Sequence, residues 1–145
     1  MLVKRIAGTA EKVFIVTKAG ENLLRGRPVC IHFDGTDDGL MGYTANAEVD
    51  SMYVVGIADK DIPSGGYGLV QCYGFRSDVY TINDSAAGLD SMPMYGISSA
   101  SSGCLVMVSS IMGELTQLPN FAGAHSVALP TSDALRRTGV FIRCM

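Results

Sequence analysis

The residues best suited to bind a metal ion lie in the acidic segment 34–39, Asp-Gly-Thr-Asp-Asp-Gly. Asp34 and Asp38 match the calcium-binding loop pattern, in which carboxylates alternate along the loop and a bidentate glutamate closes it. The second ligand position is Thr36, however, and the closing position is Ala45. Because the closing carboxylate is missing, we interpret the segment as a solvated hairpin turn and predict no metal site.

Groups for acid–base or nucleophilic catalysis are sparse. His32 and His125 are the only histidines, and neither belongs to a paired-ligand motif. The chain contains no G-x-S-x-G nucleophile elbow. The glycine-rich stretch Gly65-Gly66-x-Gly68 lacks the Lys-Ser/Thr pair and the following helix of a phosphate-binding loop. We therefore predict no catalytic residue, no cofactor and no enzymatic activity.

The six tyrosines are the remaining candidates for a binding surface. Tyrosine has an apolar body and a polar tip, so it suits a strand or a sheet edge as well as a protein contact. We interpret them as strand residues, and a contact surface built from several of them is the alternative. They are Tyr43, Tyr53, Tyr67, Tyr73, Tyr80 and Tyr95.

Charge and hydropathy exclude two classes of partner. The net charge is −3, and lysines and arginines occur only in small isolated groups. Nucleic-acid binding needs a basic face, so no such partner is predicted. No apolar run approaches the ~18 residues of a membrane-spanning helix, so no membrane partner is predicted either.

The cysteines indicate a reducing environment. Cys30, Cys72, Cys104 and Cys144 are far apart and form no C-x-x-C motif. The first three lie inside apolar runs, where a free cysteine behaves as a small buried hydrophobe. We predict four reduced thiols and synthesis in the cytoplasm.

The elements that must position any site are strands, and residues 54–75 show them most clearly. Residues 54–58 and 68–73 are apolar runs rich in Val, Ile, Leu and Tyr, which favour strands. Pro63 excludes a helix between them, and Gly65 and Gly66 permit a tight reversal. This stretch predicts a β-hairpin or β-arch.

Short apolar runs separated by turn residues recur along the rest of the chain. Pro28 fits the first position of a strand, in which Val29, Ile31 and Phe33 share one face. Residues 132–137 are compatible with one helical turn, and residues 111–124 are irregular. The predicted strands are residues 11–17, 28–33, 54–58, 68–73, 79–82, 93–97, 105–108 and 139–145.

This pattern predicts an all-β fold, a compact β-sandwich or small β-barrel with long loops and little helix. Residues 1–10 form an N-terminal arm, and residues 11–145 form a single β domain in which residues 76–138 are an inserted segment or a second lobe. An apolar residue, a turn and an apolar strand follow one another at Leu24–Val29, Ile62–Val70 and Leu89–Met94. Since the spacings drift, we interpret this layout as recurrent turn chemistry rather than a repeat.

One stretch resembles a known family. Gly56-Ile57-Ala58, the polar linker 59–68 and Leu69-Val70-Gln71 resemble the corresponding residues of tailed-bacteriophage capsid decoration, or cement, proteins. Residues 24–29, together with the residues that lead into them, also resemble these proteins. The resemblance therefore covers residues 13–75, and a weaker similarity occurs at residues 140–143.

The resemblance implies a non-enzymatic virion protein, made in the host cytoplasm and located on the capsid exterior. Such a protein clamps neighbouring major capsid subunits, commonly as a trimer, with a dimer as the alternative. The arm would become ordered on the capsid or add a strand to a neighbouring sheet. The alternatives are a phage tail or head–tail connector β domain, or a β-barrel that binds a small ligand.

Overall fold

The structure is a computed structural model that describes residues 3–6, 11–31, 41–45, 54–83, 94–97, 103–108, 122–124 and 136–144. These residues form ten strands and no helix. The strands are β1 (Val3–Ile6), β2 (Lys12–Ala19), β3 (Pro28–Ile31), β4 (Met41–Thr44), β5 (Val54–Ala58), β6 (Tyr67–Asn83), β7 (Met94–Ile97), β8 (Leu105–Val108), β9 (Ala122–Ala124) and β10 (Arg136–Arg143).

The strands belong to one mixed sheet whose hydrogen bonding closes into two rings. The first ring follows the order β2-β4-β3-β5-β6 and closes because β6 pairs again with β2. The second ring follows β6-β10-β9-β7-β8 and closes where β8 pairs with β6. The pairs β2–β4 and β6–β8 are parallel, and the others are antiparallel. The predicted all-β class is confirmed, and the ring-like bonding is that of the barrel alternative.

The predicted hairpin is β5 and β6. They pair antiparallel through Ile57 with Gln71 and Ala58 with Val70, and β5 has the predicted bounds. Strand β6 is longer than predicted, because Arg76-Ser77-Asp78 does not interrupt it. Gly74, at φ 100°, allows the strand to bend, and the charged side chains that follow are paired with other parts of the chain. Residues 79–82 are a strand, as predicted, but they are the end of β6 rather than a separate strand.

Buried side chains form two clusters, and β3 contributes to both. Val29 packs with Leu23, Ile62 and Val70, whereas the adjacent Cys30 packs in the other cluster. Each fully buried Val, Leu or Ile side chain contributes about 1.5–3 kcal/mol of transfer free energy. The opposite orientation of Val29 and Cys30 agrees with the predicted alternation; residues 32 and 33 lie outside the described residues. The second cluster is Cys30, Ala45, Ile57, Val79, Leu105, Val140 and Ile142.

Three further predictions concern segments that contain described strands. The helical turn at residues 132–137 is wrong for its last two residues, because Arg136 and Arg137 pair with Thr81 and Tyr80 in a β ladder. The irregular segment 111–124 contains β9 at its end. The segment 1–10 contains β1, which pairs antiparallel with β2 within the chain. Whether this segment acts as an arm stays a prediction.

The two connections in the first ring repeat one backbone trace. Residues 20–27, the first turn, join β2 to β3, and residues 59–66, the second turn, join β5 to β6. Each residue of the first turn has a counterpart 39 positions later. Leu23 and its counterpart Ile62 bond reciprocally, each N–H donating to the other's carbonyl at 2.9 Å.

Other hydrogen bonds also occur in matched pairs across the two turns. The layout is therefore a true repeat in its first two instances, and the interpretation as recurrent turn chemistry is corrected there; residues 89–93 lie outside the described residues. The matched donors and acceptors are Ala19 N to Gly66 O (2.8 Å) with Ala58 N to Arg27 O (3.0 Å), Gly26 N to Ala58 O (3.0 Å) with Gly65 N to Ala19 O (2.7 Å), and Arg25 N to Asp61 Oδ1 (2.7 Å) with Ser64 N to Asn22 Oδ1 (2.9 Å).

Candidate interaction surface

The segments with metal-binding or catalytic residue types lie mostly outside the described residues. These segments are residues 34–39, His32 and His125. Within the described part of the chain, no three His, Cys, Asp or Glu side chains come together to hold a metal ion.

The glycine-rich stretch forms the second turn. Gly65 adopts φ 75°, and Gly66 donates its N–H to the Pro63 carbonyl at 2.8 Å. A Cβ at Gly68 would clash with the Ile62 side chain, which packs in the core beneath the turn. The stretch leads into strand β6, so these glycines serve the tight reversal and the close packing under it.

All four cysteines are free thiols, as predicted. Burial raises the pKa of Cys72 and the pKa of Cys104. At Cys104 the positive charge of Arg27 partly offsets this rise. Burial, with a smaller effect of Cys72, raises the pKa of Cys144 to about 12. Because the thiolate is the reactive form, Cys72, Cys104 and Cys144 are poor nucleophiles and behave as core groups.

A buried arginine holds β6 against both turns. The Arg76 side chain is only 5% exposed, and its Nη1 lies 3.0 Å from Asp59 Oδ1 while its Nε lies 2.7 Å from Asp78 Oδ1. Its Nη2 also donates to the Asp59 carbonyl at 3.1 Å. From the first turn, Arg25 Nε reaches Asp78 Oδ2 at 2.6 Å. Burial on its own would raise the pKa of Asp78, but the two arginines hold it below its ordinary value.

The geometry of these ion pairs indicates a structural role. Every charge in the group lies close to an opposite charge, and the hydrogen bonds of Arg76 to Asp59 and Asp78 come from its two terminal nitrogens, since its Nε–H is not aligned with an acceptor. The network fixes the second half of β6 across the ends of the two turns.

The described tyrosine side chains do not share one role. Tyr73 meets Phe141 edge-on, with ring centroids 5.1 Å apart, and Tyr80 lies 5.2 Å beneath the guanidinium of Arg27. Tyr43 packs against the core. Tyr67 is 74% exposed, which makes it the most exposed large apolar side chain of the described residues. The side chains of Tyr53 and Tyr95 lie outside the described part of the chain.

Exposure separates the two turns although their backbones match. Gly26 is buried: its carbonyl accepts the N–H of Tyr80 at 2.9 Å, and a Cβ there would clash with the Asp78 carbonyl. Its counterpart Gly65 is exposed, and a Cβ there would meet no atom within 4 Å. Pro28, which follows the first turn, is fully buried, whereas its counterpart Tyr67 is exposed.

The second turn and its neighbours therefore form an uncovered surface with apolar content. We define the open face as Leu24, Pro63, Gly65 and Tyr67, all of which are exposed. Leu24 and Pro63 are counterparts in the repeat, so both turns contribute to this face. Leu24 and Pro63 each follow a residue of the Leu23–Ile62 pair, and exposed apolar side chains that lie close together mark contact sites more often than scattered ones do.

Sequence reasoning included Tyr67 among six tyrosines but did not single it out. It also missed the repeat, because the layout was aligned on Leu24 rather than on Leu23. A search for one constant offset would have found it, since Ala19, Leu23 and Gly26 match Ala58, Ile62 and Gly65 at the same spacing.

Among the described residues, no helix is long and apolar enough to cross a membrane. No protein-family model matches the chain, and no curated protein matches it significantly.

Proposed function

We propose that this chain is a non-enzymatic structural protein of a tailed-bacteriophage virion. It is a decoration protein on the outside of the head, where it clamps neighbouring major capsid subunits. It assembles as a homo-oligomer, with a trimer favoured.

The observation that carries the proposal is the form of residues 13–75, which bear the resemblance to decoration proteins. Their described parts build the first ring and present the open face, which contains exposed apolar side chains. A surface of this kind supports docking by shape and apolar contact.

The physical mechanism is repeated weak docking. One small apolar contact gives modest affinity, but an oligomer that engages several lattice subunits at once converts the later contacts into intramolecular events. Stabilisation of the shell then depends on the number of simultaneous contacts rather than on the strength of each.

The test is quantitative mass spectrometry of purified particles from the phage that encodes the chain. We expect a copy number comparable to that of the major capsid protein. A copy number on the scale of one ring per particle would assign the chain to the tail or connector, and its absence from particles would refute a virion role.

A further inference from the structure

The repeat supplies two copies of one turn, and the described residues cover only the first of them. The first turn is covered by residues 78–80 of β6, an extended segment. Tyr80 donates its backbone N–H to the Gly26 carbonyl at 2.9 Å, and Asp78 pairs with Arg25. The ring of Tyr80 also lies against the guanidinium of Arg27.

The second turn offers the same backbone acceptor without a cover. Its internal hydrogen bonds match those of the first turn, so the Gly65 carbonyl is presented as the Gly26 carbonyl is. No described backbone N–H donates to it. The exposure of Gly65, with open space at its Cβ position, leaves room for an extended segment to approach.

We infer that the second turn receives an extended segment of the major capsid subunit, which donates a main-chain N–H to the Gly65 carbonyl and packs an apolar side chain against Tyr67. This inference rests on the proposed function, which supplies the partner. The contact is the intermolecular counterpart of the one that residues 78–80 make with the first turn.

The side chains around the second turn define the chemistry of that segment. Arg25, which pairs with Asp78 on the first turn, is replaced by Ser64 on the second. Arg27, whose guanidinium lies on the Tyr80 ring, is replaced by Gly66, which carries no charged side chain. Neither replacement carries a charge, so the segment is neutral where it meets them, and the exposed ring of Tyr67 favours an apolar side chain on it.

The same comparison argues against a second copy of this chain as the occupant. Residues 78–80 carry an acidic side chain that matches Arg25 and finds no arginine at the second turn. They are also engaged within their own chain through Arg76 and Arg25.

The experiment is Gly65→Asn in the full-length protein, incorporated into particles. Asparagine tolerates the positive φ of 75°, and its side chain projects into open space, so the fold is retained. The asparagine side chain fills the space through which the docking segment would approach the Gly65 carbonyl. We expect the copy number per capsid subunit to fall about tenfold or more at limiting protein, which corresponds to the loss of one good contact.

Lys60→Asn is the matched control, because it introduces the same side chain at another exposed position of the second turn. We expect normal occupancy for this control and, for both variants, an unfolding midpoint close to that of the wild type. Tyr67→Ala provides a second route, with the same expected loss, should Gly65→Asn fold poorly.

The outcomes separate the inference from the proposed function. If wild type and Gly65→Asn or Tyr67→Ala occupy particles equally, the docking site is wrong and the decoration role stands. If wild type is absent from particles, the proposed function fails, and the assignment of the capsid subunit fails with it. If Gly65→Asn loses occupancy and sedimentation shows that it no longer self-associates, the occupant of the second turn is a second copy of this chain, and the inference is overturned.

Discussion

The first and second turns share a backbone and differ in what lies on them. Both are closed by the same reciprocal hydrogen bonds between Leu23 and Ile62, and both place a glycine at positive φ, Gly26 at 82° and Gly65 at 75°. Yet Gly26 is buried under β6 and Gly65 is open. Matched backbone hydrogen bonding thus serves a packing contact in one place and an accessible surface in the other.

The difference arises from side chains and chain connectivity. Strand β6 leaves the second turn, passes through Gly74 at positive φ and contacts the first turn through its second half, where Arg76 and Asp78 secure it. The open face is therefore a consequence of a pseudo-symmetric ring whose covering strand can pass over only one of its two turns.

Substitution of the two glycines should separate the turns most strongly. Gly26→Asn places a Cβ against the Asp78 carbonyl and must displace β6, so we expect a loss of about 3 kcal/mol in the free energy of unfolding. Gly65→Asn adds a side chain in open space and should cost about 1 kcal/mol or less. Urea denaturation of both variants measures the difference. Equal losses would contradict the assignment of one covered and one open turn.

Local patterns predicted most of the strands, but they missed β1, β4 and β9 and did not predict how the strands are arranged. The bounds of β5 and the entry of β3 at Pro28 follow from apolar runs and from proline chemistry within a few residues. The length of β6 did not follow, because Arg76 and Asp78 are typical of a break unless distant partners compensate them. Those partners, Asp59 and Arg25, lie far away in sequence. The parallel pairs β2–β4 and β6–β8 also depend on contacts that no local period reports.

The open face could be predicted even less. Leu23 and Leu24 are identical neighbours, but Leu23 is 1% exposed and Leu24 is 47% exposed. Only the pairing of Leu23 with Ile62 decides which leucine faces the core, and that pairing is tertiary. The exposure of Tyr67 likewise depends on the path of β6 and not on the residue type.

The charge network over the first turn should give a pH-dependent contribution to stability. The pKa of Asp78 is lowered in the folded protein, so its contribution is fully present above the unfolded pKa of about 3.9 and is lost as the pH falls through the lower folded value. We expect Asp78→Asn to reduce the unfolding free energy by about 2 kcal/mol at neutral pH. The difference from wild type should shrink below about pH 4.

Asp61→Asn is the control for that measurement. Its amide oxygen can still accept the Arg25 N–H, so little change is expected at any pH. A wild-type minus Asp78→Asn difference that stays constant down to pH 3 would show that the carboxylate is not the stabilising group over the first turn.

The smallest loss of stability is expected when Arg25 of the first turn is replaced by serine, the residue at its counterpart position 64. Arg25→Ser copies Ser64 and removes the 2.6 Å contact with Asp78, but the Arg25 side chain is 57% exposed and Arg76 still pairs with Asp78. An exposed ion pair of this kind contributes roughly 0.5 kcal/mol, and salt should screen it. Denaturation at low and high ionic strength measures both. If the variant instead lost as much stability as Asp78→Asn, Arg25 would be the main support of β6 on the first turn, and the absence of an arginine at position 64 would then be the chief reason why the second turn is open.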